Sequence, residues 1–140
     1  MASCFEVAMA LIDAGYIGDD DLDSVTTVLV ETLLATGTIQ ERSRAVQDKA
    51  ADEDMYTAAE YGAAAADAMG NYEDEIRQAE LMLDARERQI SHEQIIMEAD
   101  EVIQENATLA TATLLEKELV DSEKADQVRQ LIARAWSSAG

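Results

Sequence analysis

EYGAAAADAMG, residues 60–70, is the stretch that restricts the fold most. Its alanines favour a helix, which Gly70 can end and Asn71 can restart as an N-cap. Glycine inside a helix lowers helix stability by about 1 kcal/mol relative to alanine. The presence of Gly62 is explained if a second helix packs so closely that a larger side chain would not fit. The alternative is that the alanines only fill an exposed helix face. We predict a helix-packing interface along small residues that are spaced four apart: Ala58, Gly62, Ala66 and Gly70.

Outside this stretch, the composition also favours long helices. The 140 residues include no proline, and alanine, glutamate, leucine and glutamine are abundant. Capping boxes begin at Ser3, Thr38 and Ser91, and further glycine stop signals lie at Gly15 and Gly37. It stays open whether the predicted fourth and fifth helices are one, because nothing just before Ser91 forces a break. These signals predict six helical segments, at residues 3–14, 20–36, 39–69, 72–90, 92–119 and 122–136.

The predicted fold is all-α, with an N-terminal helical hairpin (residues 1–37) followed by long helices in an antiparallel bundle or coiled coil (residues 38–140). We expect the two regions to form one structural unit. The third helix has few large apolar residues, which leaves little for one chain to bury, so we predict that part of the core forms between chains. Apolar residues recur every seven positions in the next two helices, as is typical of coiled-coil packing: Ile76, Leu83 and Ile90, then Ile96, Ile103 and Ala110.

The chain is strongly acidic along its whole length. Thirty Asp and Glu residues against ten Lys and Arg residues give a formal net charge of −20. Direct binding to nucleic acid or to an anionic bilayer is therefore not expected. No apolar run approaches the length of a membrane span, and Glu6 precedes any Lys or Arg, so a basic signal-peptide region is missing. We expect the protein to be cytoplasmic or to lie within an assembled particle.

The sequence contains no recognisable motif for catalysis, cofactor binding or metal binding, and we predict none of these sites. Nucleophilic catalysis would have to use His92, the single histidine, whose flanks lack a nucleophile motif. Gln89 stands where a di-iron Glu-x-x-His motif needs a glutamate. Trp136 has two interpretations. It closes the helical core, or it is a candidate anchor for a partner, since tryptophan is enriched at interface hot spots.

Long helices, small size and the lack of a reactive motif favour a non-enzymatic structural or assembly protein. It would act through helix packing, in a homo-oligomer or with other protein subunits, and a scaffold, an adaptor or an internal component of a viral particle fits this description. The alternative is an acidic binding module, chaperone-like or nucleic-acid-mimicking, whose carboxylates engage a basic protein partner. An enzyme is the least favoured of the three classes.

Overall fold

Residues 3–138 are described by a computed structural model, and they form five α-helices and no β-strand. Short 3₁₀ turns at Asp19–Asp21 and Ser122–Lys124 precede the second and the fifth helix. The short N-terminal helices pack together and the two long helices pack antiparallel, which confirms the predicted fold class. The helices are α1 (Cys4–Asp13), α2 (Leu22–Thr32), α3 (Thr36–Ala68), α4 (Tyr72–Glu116) and α5 (Ala125–Ser137).

The first helix begins and ends where the sequence predicts. The Ser3 hydroxyl accepts a hydrogen bond from the Glu6 amide at 3.1 Å, which is one half of the predicted capping box. At the other end, Gly15 has a φ of +79°. The Tyr16 amide donates to the Leu11 carbonyl at 3.0 Å. This arrangement is a Schellman C-cap, whose left-handed residue costs glycine little.

The turn between α3 and α4 has the same form. Gly70 has a φ of +69°, and the Asn71 amide donates to the Ala66 carbonyl at 2.8 Å. The Asn71 side chain then accepts from the Asp74 amide at 3.2 Å and caps the start of α4. The predicted stop at Gly70 and the restart at Asn71 are therefore confirmed, and a short turn makes α3 and α4 neighbours.

The predicted fourth and fifth helices are one, because α4 is a single helix of 45 residues. The capping box predicted at Ser91 is wrong. Amides in the middle of a helix already donate to carbonyls four residues earlier, so they need no side-chain cap. His92, within that predicted box, instead lies opposite α3, with its Nδ1 2.9 Å from the Asp52 carboxylate.

The break between α2 and α3 comes earlier than predicted. Because α2 ends at Thr32 and α3 begins at Thr36, the stop signal at Gly37 and the capping box at Thr38 are wrong. Gly37 lies in the first turn of α3, where a helix tolerates glycine at a modest cost.

The side chain that fixes this break is Asn106, which is far away in the sequence. Its Nδ2 donates to the Thr32 carbonyl at 2.6 Å, and its Oδ1 accepts from the amides of Leu34 and Ala35, both at 3.0 Å. These are backbone groups that the break leaves without helical partners. A tertiary contact therefore decides where α2 ends.

The end of α4 repeats the Schellman cap without a glycine. The Leu119 amide donates to the Leu114 carbonyl at 2.9 Å, and Glu118 takes the left-handed position with a φ of +59°. Since residues other than glycine adopt this conformation at a cost, no stop signal marks this position in the sequence. α4 accordingly ends at Glu116, three residues before the predicted end.

The chain divides into two compact units. The core unit is Met1–Ser43 with Glu98–Gly140, described over residues 3–43 and 98–138, and the hairpin unit is Arg44–Met97. The N-terminal helical hairpin therefore belongs to the same unit as α5. Large, fully buried side chains from α1, α2, α4 and α5 form the interior of the core unit: Val7, Leu11, Val25, Val28, Leu29, Ile103, Leu114, Val128, Ile132 and Trp136.

Candidate functional site

The two helices of the hairpin unit meet along small and polar side chains. Asp52 and Gln89 are buried in this unit. Alanine lets helix backbones approach closely, but it removes little apolar surface from water. Throughout Arg44–Met97, all of which the structure describes, the only buried hydrophobic residues are alanines: Ala45, Ala59, Ala66 and Ala85.

The predicted ridge of small residues lies partly in this contact and partly on the surface. Ala66 is buried and Gly62 is half-buried, whereas Ala58 and Gly70 are exposed. A Cβ added to Gly62 would lie 2.8 Å from Cδ of Gln78 on α4, so a neighbouring helix does occupy the space beside this glycine. The contact is made within one chain. An interface between chains along the ridge stays a prediction.

A charged layer crosses the contact between α3 and α4. The Asp52 carboxylate lies 3.0 Å from Nε of Arg88 and 2.9 Å from Nδ1 of His92. The Asp52 side chain is only 8% exposed, so its charge needs these partners. Nδ1 of His92 and the carboxylate oxygen beside it are close but form no hydrogen bond in the structure, so this contact is an ion pair when the imidazole is protonated. A shift of α3 along α4 would separate the carboxylate from both partners, so this layer fixes the register of the hairpin.

Further polar contacts join the same two helices beside this layer. Nζ of Lys49 lies 3.0 Å from Oε1 of Glu93. The Arg86 guanidinium lies 4.2 Å from the centre of the Tyr56 ring, in a cation–π contact. Each such contact is worth at most about 1 kcal/mol at the surface. They do, however, engage the charges on this side of α4 within the chain itself.

The large apolar side chains on α4 of the hairpin unit include a row that turns away from α3. At 100° per residue, Leu83 and the buried Ala85 point about 160° apart on the helix. From Ile76 to Met97, the members of the row are spaced seven residues apart. We name this set the α4 outer row, and its members are 61–71% exposed: Tyr72, Ile76, Leu83, Ile90 and Met97.

The outer row contains the seven-residue repeat that the sequence predicts to be a packing stripe. Within the described chain, Ile76, Leu83 and Ile90 are exposed. The positions of α4 that turn toward α3 follow the alternating three- and four-residue spacing of a helix contact instead: Met82, Ala85, Gln89, His92, Ile96 and Ala99. Periodicity shows that residues share a face, but not which partner covers that face. The smaller, partly polar contact with α3 was therefore missed.

A line of glutamates accompanies the outer row along one edge. Glu73, Glu80 and Glu87 are seven residues apart and exposed, and the last two follow Ile76 and Leu83 by one helical turn. None of the three takes part in an ion pair within residues 3–138. The surface is therefore a row of separate apolar side chains, spaced about 10 Å apart along the helix from Ile76 onward, with an acidic edge.

Trp136, the candidate partner anchor, is 0% exposed and lies in the interior of the core unit. Its Nε1 has no hydrogen-bond partner among the described residues. In this conformation the ring closes the core and offers no surface to another protein. A role as a partner anchor stays a prediction.

A shallow apolar groove lies beside the break between α2 and α3. It has a volume of about 250 Å³, and Leu34, Val102 and Leu109 line it. Thr38, Glu105 and Asn106 also line the groove, and the Asn106 amide is already engaged with backbone groups of the break. Ligand sites usually combine an apolar lining with polar groups that converge on the ligand. In this groove the one buried polar side chain, Asn106, is already engaged, so it offers no ligand a free group.

The described part of the chain also contains no cluster of residues that could bind a metal ion, and its one cysteine is not activated. No group of three or more His, Cys, Asp or Glu residues there is placed to hold a metal ion. Burial raises the pKa of the Cys4 thiol. Fewer Cys4 side chains are then thiolates at neutral pH, which lowers the reactivity of this cysteine.

Within residues 3–138, no single helix is both long enough and apolar enough to span a membrane. One bent pair, Asp19–Thr32 with Thr36–Ala68, meets them only when its two helices are taken together.

Comparison with known proteins gives no relative. No protein-family model, curated protein or solved structure matches the chain.

Proposed function

We propose that the protein is a non-enzymatic structural or assembly protein that joins other protein subunits by helix packing, with the α4 outer row as its contact surface. The observation that carries the proposal is the arrangement of side chains in the hairpin unit. Alanines are buried there, while ten of the sixteen exposed large hydrophobic residues of the described chain belong to this unit. Apolar side chains that repeat every seven residues along an exposed helix face are typical of a helix-packing site for another protein.

The dimensions of the outer row suit a helix-to-helix contact. The 21 residue-to-residue steps from Ile76 to Met97 rise by about 32 Å at 1.5 Å per step. Burial of each large apolar side chain is worth about 1.5–3 kcal/mol. The row and the matching side chains of a partner together reach the size needed to offset the cost of association, which is about 4–15 kcal/mol.

The acidic edge of the outer row favours the second candidate function, an acidic binding module for a basic protein. Glu73, Glu80 and Glu87 lie beside apolar side chains, and the chain as a whole carries a net charge of −20. Both candidates use the same face of α4. In the first case this face holds the subunits of an assembly together, and in the second it binds a basic protein that is not a subunit.

The test is a double substitution in the outer row, Leu83→Glu with Ile90→Glu. The matched control, Tyr61→Glu with Met69→Glu, adds the same charge at apolar residues that are 75% and 84% exposed outside the row. Sedimentation equilibrium measures the complexes of each variant, alone and mixed with the helical peptides described below. The outer-row variant should lose a complex that the wild type and the control form, with little change in melting temperature because both side chains are already exposed. Identical complexes for all three proteins would refute the proposed contact surface.

A further inference from the structure

The two edges of the α4 outer row differ in charge, and the difference indicates what kind of helix would cover the row. On one edge, Glu73, Glu80 and Glu87 repeat every seven residues without ion pairs inside the described chain. On the other edge, Arg86 stacks on Tyr56 and Glu93 pairs with Lys49, so these charges are engaged with α3. Glu75 on this second edge has no ion pair either, but the three glutamates of the first edge form the longer line of unpaired charge.

We infer that the α4 outer row binds an amphipathic helix of another protein, whose apolar line is flanked by lysines or arginines at seven-residue spacing. The inference rests on the proposed function of the outer row as a contact surface. A helix packed along α4 would keep its own heptad positions in step with those of the row, so that each basic side chain meets one glutamate. Charges along the edge of a helix contact select the partner more strongly than they raise its affinity.

A second copy of this chain fits the row less well. Two copies joined through the same face would bring six glutamates to one contact, and each chain carries a net charge of −20. Of the ten Lys and Arg residues, five already form ion pairs within the chain. Within the described helices, only Arg42 and Lys49 are seven residues apart, and both pair with carboxylates of α4. The chain therefore lacks the basic line that would neutralise its own acidic edge.

The probe is a designed helical peptide of about four heptads, which is close to the length of the row. It carries leucine at the two core positions of each heptad and lysine at the flanking positions, where mutual repulsion keeps the peptide from pairing with itself. One control peptide has glutamate in place of lysine. A second control has the lysine-containing composition in scrambled order, so that its apolar residues share no face. Fluorescence anisotropy measures the binding of each peptide to the full chain.

The ordered lysine peptide should bind at least tenfold more tightly than either control peptide. Leu83→Ser with Ile90→Ser should weaken this binding at least tenfold, because each substitution removes a large apolar contact. Glu80→Gln with Glu87→Gln should weaken it a few-fold and reduce its dependence on salt. The control Glu53→Gln with Glu60→Gln makes the same change in charge on α3, and should leave both quantities closer to those of the wild type.

Three results would overturn the inference. Equal binding of the ordered and the scrambled lysine peptides would mean that the acidic chain attracts cations without using the row. Self-association that the Leu83→Ser, Ile90→Ser variant loses, with no binding of the ordered peptide, would identify a second copy as the occupant and leave the proposed assembly function standing. The absence of both kinds of complex would contradict the inference and the proposed function together.

Discussion

Replacement of Asn106 by alanine tests whether one side chain of α4 holds the break between α2 and α3. Asn106 is 6% exposed, and all of its side-chain hydrogen bonds in the structure go to the backbone of the break. They join Nδ2 to the Thr32 carbonyl at 2.6 Å and Oδ1 to the amides of Leu34 and Ala35 at 3.0 Å. Alanine removes all three and leaves those backbone groups without a partner.

The loss can be estimated from these contacts. A hydrogen bond contributes about 0.5–1.5 kcal/mol net, and a buried group left without a partner costs more. Three bonds, partly replaced by water at the exposed Leu34, correspond to about 2–4 kcal/mol in the free energy of unfolding. A domain of this size is stable by only about 5–15 kcal/mol. With a urea dependence of about 2 kcal/mol per molar, the unfolding midpoint should fall by roughly 1–2 M.

Urea unfolding followed by tryptophan fluorescence is the assay. Trp136 is the only tryptophan of the chain and is fully buried in the core unit, the same unit as Asn106. Its emission therefore reports unfolding of the unit that contains the break. The control Glu105→Ala changes the neighbouring exposed residue of α4 and should alter stability by less than about 0.5 kcal/mol.

A second variant, Asn106→Leu, separates hydrogen bonding from packing. Leucine has the same number of side-chain heavy atoms and the same branching as asparagine, although its methyl groups are bulkier, and it neither donates nor accepts, so it should be destabilising by about 2 kcal/mol or more. An alanine variant within 0.5 kcal/mol of the wild type would refute the role of Asn106. A leucine variant as stable as the wild type would show that the residue acts by filling space.

Three further predictions concern single positions and use thermal unfolding followed by circular dichroism. Gly62→Leu should lower stability by about 1–3 kcal/mol because it displaces the Gln78 side chain. Gly62→Ala should stay within about 1 kcal/mol of the wild type, because the better helix propensity of alanine offsets its contact with Gln78. A leucine variant as stable as the wild type would contradict this prediction. Asp52→Ala should cost about 1–3 kcal/mol by leaving its two partners unpaired, against less than about 0.5 kcal/mol for the exposed Asp54→Ala, and equal effects would argue against the charged layer. Glu118→Gly should raise stability by about 0.5–1 kcal/mol by relieving its left-handed backbone, and a loss of stability would count against that reasoning.

Local signals in the sequence predict a helix end correctly where the signalling residue itself forms the cap. Gly15 and Gly70 have positive φ values and end α1 and α3, as predicted. Asn71 caps α4. In each case, the residue that carries the signal also makes the bond or adopts the conformation. The same kind of signal failed at Gly37, because the boundary there depends on Asn106, whose contacts could not be foreseen from residues near the break.

The candidate surface was harder to predict, because a helical repeat does not identify what covers it. The sequence shows that Ile76, Leu83 and Ile90 share a face, and the structure confirms that they do. It also shows that α3 meets a different face of α4, the one with Ala85 and Gln89. Small and polar residues at a helix contact give a weak signal, whereas a row of isoleucine and leucine resembles a core.

In the hairpin unit, the contacts that set the register of the helices are not the side chains that could bury the most apolar surface. Asp52 with its two partners fixes the register of α3 on α4, yet buried ion pairs add little net stability, and the buried alanines remove little apolar surface from water. Five large apolar side chains, the α4 outer row, are left in solvent along one face of α4. A partner that covers this row would add directly to the stability of the hairpin, since any ligand that binds only the folded state does so. The proposed contact surface is therefore also a site from which the hairpin unit can gain stability.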